Sequence, residues 1–162
     1  MRLMKNGLKL LLVFGVMIGL FGFAGAGVEA KEGREVDHVA GVLAKLVEKV
    51  TLYTKLGKPA KARYMERLLD KRLAELAYVV ENDRDAIEPS ASRYSSYIGN
   101  LTNYMVKNNL TGEKEGALAL YAEHHEVLLK LRDNFEWDSG WWLAIQHAVN
   151  NTDWLVNDIK KI

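Results

Sequence analysis

Glu123-His124-His125-Glu126 is the stretch of this 162-residue chain whose side chains could hold a metal or move a proton. A helix offers ligands to one ion at spacings of three or four residues. At those spacings His124 meets Leu120, Tyr121, Val127 and Leu128, and His125 meets no Glu, Asp or His either. Glu123, His124, His125 and Glu126 therefore form a metal site only if His38 or His147 joins from another helix. The competing reading makes His124 a core-edge residue and pairs Glu126 with Lys130, four residues on. Glu-x-x-His pairs of the di-iron kind and a Cys-x-x-Cys-His haem site do not occur in the sequence. No metal and no cofactor are expected.

Nucleophilic chemistry has less support. The chain has no cysteine, and Ser139-Gly140 lacks the upstream glycine of a nucleophile elbow. Glu123 and Glu126 could act as an acid-base pair, but two acids at that spacing are ordinary on a solvated helix face. These gaps argue for a non-catalytic protein.

Other groups invite binding readings. Asn82 to Ser90 is acidic, yet counting from Asp83 puts Glu88 at the sixth place, where a calcium loop needs glycine. The same residues serve better as a helix start, with Asp85 and Glu88 as a capping box or Ser90 as a cap just after Pro89. Arg63, Arg67 and Lys71 stack four apart above Glu75, which is either an anion rail or a solvated face relieved by Glu66 and Asp70. Tyr94, Tyr97 and Tyr104 are a sugar-stacking platform or, more simply, a core stripe. Trp154 falls opposite Trp141 on the helical wheel, among Asn150, Asn151 and Asp158, while the other three tryptophans can share the buried side. An aromatic anchor on a polar face suits a protein partner or a membrane interface, so Trp154 is the candidate partner-binding residue; the competing reading folds it over the bundle end against a loop. Asn100, Asn109 and Asn150 each open an Asn-x-Thr triplet.

The elements that must position these groups are helical. Val39, Leu43, Leu46, Val50 and Tyr53 step by threes and fours and predict a first helix from Val36 with that stripe buried. Gly57 ends it, and Pro59 opens a second running to Glu81, with Met65, Leu69, Leu73, Leu76 and Val80 on its apolar side. A third ends near Asn108, and Gly99 inside it suggests close backbone approach. Thr111 is expected to cap a fourth helix over about 113–134, with Ala117, Tyr121, His124, Leu128, Leu131 and Phe135 as its stripe. Asp138 or Ser139 opens a fifth that buries Ile145, Ala148, Leu155 and Ile159. The expected fold is all-α, an up-and-down bundle of four to five helices.

Ahead of these lies a leader at residues 1–30: Arg2, Lys5 and Lys9, an apolar run from Leu10 to Phe23, then small residues to Ala30. The run is shorter than the ~20 apolar residues of a membrane span, so a signal peptide cleaved after residue 26 or 30 is expected, leaving 31–162 as one helical domain. An uncleaved anchor is the other reading, and would keep the protein in contact with a membrane. Cleavage after Ala26 removes three of the 22 basic side chains and none of the 21 acidic ones, taking the net charge from +1 to −2. Such a domain, with no dense Lys/Arg block, is not built for nucleic acid.

Residues 48–107 carry Lys61-Ala62-Arg63, then Arg72-Leu73-Ala74-Glu75-Leu76, a polar break and Tyr94 in the next helix. This stretch resembles a family of exported bacterial all-helical proteins known only as a domain of unknown function. Lys58-Pro59 departs from that family's acid-proline pair. The resemblance implies an extracytoplasmic helical fold and assigns no catalytic residue. Two function classes follow: a secreted or cell-envelope module acting through an unknown protein partner, and a small-ligand or metal carrier using the histidines and tyrosines between helices.

Overall fold

A computed structural model describes Val39, residues 41–55 and residues 57–162; the expected leader, His38 and the predicted helix start at Val36 lie outside the described residues. Among the described residues the apolar periodicity becomes five helices: α1 Val42–Thr54, α2 Lys58–Asn82, α3 Ile87–Asn108, α4 Lys114–Arg132 and α5 Gly140–Lys160. Among the described residues there is no strand. The architecture is an all-α, up-and-down arrangement of these five helices.

Most boundaries have a local cause. Gly57 takes φ 85°, which glycine adopts at little cost, and Pro59 lies in the first turn of α2 where its missing N–H is not needed. At the end of α3, Asn109 is left-handed (φ 49°), the Leu110 amide reaches back to the Met105 carbonyl at 3.1 Å, and buried Leu110 covers the turn, a Schellman arrangement. Ser139 caps α5 by accepting from the Trp142 amide at 3.2 Å, as the sequence suggests.

The other two expected caps are corrected. Helix α3 begins at Ile87, fed directly by a 3-10 turn at Arg84–Ala86, so Pro89 falls within its first turn and Ser90 is a buried residue, with no side-chain cap. Thr111 belongs to a second 3-10 turn, Thr111–Glu113, and does not cap α4. In both places a tight turn running straight into a helix presents the first amides to backbone or solvent instead.

Helices α2 to α5 close a four-membered ring in which α3 packs along α2 and α5, α5 along α4, and α4 back on α2. Helices α3 and α4, consecutive in sequence, therefore stand across a diagonal, as do α2 and α5. Leu69, Leu76, Ile98, Leu101, Met105, Leu128, Ile145 and Ile159 fill the interior with no exposed surface. Burying each such side chain contributes about 1.5–3 kcal/mol, so this set dominates folding.

Helix α1 packs chiefly on α2, and three of the five residues of its expected stripe are turned outward, Leu43, Leu46 and Tyr53 being 79%, 57% and 82% exposed, while Val50 is half-buried and Val39 packs against the core. What α1 inserts is Glu48, 7% exposed and ion-paired to Arg72 of α2. The charge sets which side faces the bundle, and periodicity alone cannot say whether a covering surface exists. Gly99 is a further correction, because a Cβ there would meet nothing within 4 Å.

Candidate functional site

Each helix of the ring contributes one group to a polar chain through its centre. His124 of α4 is buried, its Nε2 is 2.9 Å from Asp70 Oδ1 of α2, and its Nδ1 is 3.2 Å from the Tyr94 hydroxyl of α3. The Tyr94 oxygen lies 3.5 Å from Thr152 Oγ1 of α5, which donates to its own helix at the Ala148 carbonyl over 2.9 Å. A carboxylate only accepts, so in the neutral ring Nε2 carries the proton and Nδ1 accepts from Tyr94. A second diagonal bond joins Thr102 of α3 to the Tyr121 hydroxyl of α4 at 2.8 Å.

Burial pushes both phenols well above the ordinary tyrosine range, Tyr94 despite its Thr152 contact and Tyr121 despite its Thr102 bond. Carboxylate, imidazole and hydroxyl stand in the order of a nucleophile triad. The hydroxyl, however, has no exposed surface on which a substrate could rest. This chain of groups links all four helices of the ring.

The neighbours of His124 in sequence diverge. His125 is half-buried and turns to Asp153 of α5 at 3.2 Å and Glu126 at 3.8 Å, while Glu123 and Glu126 are exposed. Glu126 is thus beside His125, and no ion pair with Lys130 forms. His147 is exposed on α5 beside Ser92, Ser95 and Ser96 of α3. Among the described residues no group of three His, Cys, Asp or Glu could hold one metal ion.

The basic rail of α2 is dismantled in a similar way. Arg63 pairs with Glu113 at 2.7 Å and Lys71 with Glu48 at 2.7 Å, while Asp70 is taken by His124. Burial, with Glu113 and Asp70 nearby, pushes the Glu66 carboxyl upward. Glu75 is not on the solvated face: it is 1% exposed and accepts both oxygens' bonds from buried Arg72 at 2.6 Å. Burial opposes the Arg72 charge, but the bonds to Glu75 and Glu48 outweigh it and hold the guanidinium more firmly protonated, over the Tyr97 ring at 4.8 Å. Sequence reasoning missed Arg72, although its place beside Leu68, Leu69, Leu73 and Leu76 on one helix face was a usable signal.

Tyr94 is core, whereas Tyr97 and Tyr104 are half-buried. Asp83 and Asp85, from the acidic connection, are exposed around the 3-10 turn. Of the three Asn-x-Thr triplets, two have threonines buried in the bonds above (Thr102 and Thr152), and Asn109-Leu110-Thr111 alone presents both Asn and Thr on an exposed turn.

The tryptophans are less buried than their wheel positions suggest. Trp154 is 71% exposed on α5, as its polar neighbours imply. Trp137 is 78% and Trp141 38% exposed, which corrects the expectation that both share the buried side; Trp142 is half-buried. They gather at the α4–α5 corner, with Trp137 against Trp142 at 6.1 Å and Trp141 against Phe135 at 5.7 Å. Arg84 lies over Phe135 and Trp141, and Arg132 over Trp142. Two guanidinium groups take the place of an apolar cover, so the rings stay at the surface.

No family model, curated protein or solved structure matches the chain. Among the described residues no helix is long and apolar enough to cross a membrane.

Proposed function

We propose that the protein works outside the cytoplasm, secreted or in the cell envelope, as a non-catalytic helical module that holds a protein partner through the Trp154 face of α5. The observation that carries this reading is the exposure of Trp154, 71%, on a helix that buries Ile145, Ala148, Val149 and Ile159 in the core. A tryptophan held on a rigid helix loses little freedom on binding and buries a large area, which is why such residues recur as interface anchors. The leader at residues 1–30 and the resemblance of residues 48–107 to exported helical proteins support the address.

The test has two parts. Intact mass of the protein recovered from the envelope or medium of its host should begin at residue 27 or 31. A photo-crosslinker at position 154 should then give one protein adduct, and Trp154→Ala should weaken that purified partner by roughly 30-fold, the scale of a ~2 kcal/mol anchor, with the melting temperature unchanged. An altered melting temperature with unaltered affinity for the partner refutes the anchor, and a full-length cytosolic product refutes the address.

A further inference from the structure

A cleft of ≈ 330 Å³ opens between α1, α2 and α3, apart from the Trp154 face. Its lining is largely apolar, from Leu52 of α1 and Met65 and Leu68 of α2, with Tyr97 and Tyr104 of α3 beside them. Two ammonium groups, Lys49 and Lys61, also border it. The one carboxylate among the lining residues, Glu48, is already bound by Arg72 and by Lys71.

Lys61 has no carboxylate partner among the described residues. It stands 5.2 Å from the Tyr104 ring centroid and 5.5 Å from that of Tyr53, so two aromatic faces hold it in place. A positioned cation beside an apolar hollow, with the local acid already neutralised, is the complement of a small anion that carries a greasy body. The volume lies at the small end of ligand sites, ~300–1,000 Å³, which suits one ring with a short chain and is too little for a nucleotide or a lipid.

We propose that this cleft binds a small monocarboxylate with an aromatic or branched apolar body, its carboxylate on Lys61 and its body against Leu52, Met65 and Leu68. The Asn100 side chain, also at the cleft, supplies a neutral amide for the second carboxylate oxygen. Because Leu52 and Lys49 come from α1, an occupant also ties α1 to α2 and α3. This inference is independent of the partner reading: it uses none of the same residues.

Titration of the purified protein with 3-phenylpropionate, and with 3-phenylpropionamide as the uncharged counterpart, tests it by two-dimensional NMR. The acid should give saturable shifts confined to residues around 49–52, 61–68 and 97–104, and slow amide exchange across 42–54. The amide should bind about tenfold or more weakly, since a charge-assisted bond is lost. Lys61→Gln should erase that difference, and Met65→Trp, which fills the cleft, should abolish binding of both. Should Met65→Trp fail to fold, Leu52→Trp fills the same cleft from α1, outside the four-helix core. Equal affinity for acid and amide, a preference that survives in Lys61→Gln, or no saturable shift up to about 10 mM acid overturns the proposal.

Discussion

Removing one oxygen from Tyr94 tests whether the polar chain through the bundle holds the fold together. Tyr94→Phe keeps the ring, which lies 5.8 Å from the His124 ring, and with it nearly all the packing. Thr152 retains its bond to the Ala148 carbonyl, and Asp70 retains His124 Nε2. The group left without a partner is His124 Nδ1, in a side chain 4% exposed. An orphaned buried acceptor costs about 1–3 kcal/mol, and relief from dehydrating the phenol returns part of it, for a net loss of about 1–2 kcal/mol. In a domain of this size each kcal/mol moves the melting temperature by roughly 3–5 °C, so calorimetry at pH 7 should find a drop of about 3–10 °C. His124→Leu then removes the orphan itself and strands only Asp70, which is 54% exposed and keeps its water. The double variant should therefore lose less than the sum of the singles, by about 0.5–2 kcal/mol. A Tyr94→Phe melting point within about 1 °C of the original, or additivity within ~0.3–0.5 kcal/mol, would refute the reasoning.

Two further outcomes follow from burial and from open space. Tyr94 and Tyr121 have folded pKa values raised above that of the unfolded chain, so their contribution is complete below about pH 10 and is lost as pH rises beyond it, at ~1.4 kcal/mol per pH unit for each. Melting temperatures should hold to about pH 10 and fall steeply after it, and absorbance at 295 nm should show two of the seven tyrosines ionising only with unfolding; a flat profile to about pH 11.5 would contradict this. Gly99→Ala should stabilise by about 0.5–1 kcal/mol, because the added methyl meets nothing while the helix gains a better former; a lower melting temperature would show that a neighbour does approach there.

Much of the bundle was legible because periodicity reports which side of a helix is apolar. The stripes of α2 through α5 supply the core residues, and the predicted ends of α2 and α4 fall within two residues of those observed; at α3 the Asp85–Glu88 reading lands next to the observed start at Ile87, whereas a Ser90 cap would put it about four residues late. Pattern does not report whether something covers an apolar face, so it points the α1 leucines and Trp141 to an interior they do not enter. Nor does it reveal pairs made across a diagonal. Asp70, Tyr94, His124 and Thr152 are far apart in sequence and each is unremarkable alone. Arg72 and Glu75 show the converse, since two charges three residues apart read as surface until a third, Glu48 from another helix, accompanies them inward.

The outward set of nonpolar side chains on α1 separates two kinds of evolutionary constraint. Positions 43, 46, 47 and 53 lie outside the four-helix interior, so selection for folding leaves them free to drift, while Glu48 is tethered to the fold by its guanidinium partner. Helix α1 is then an adjustable appendage, able to acquire or shed stickiness through single substitutions at almost no expense to the architecture beneath it.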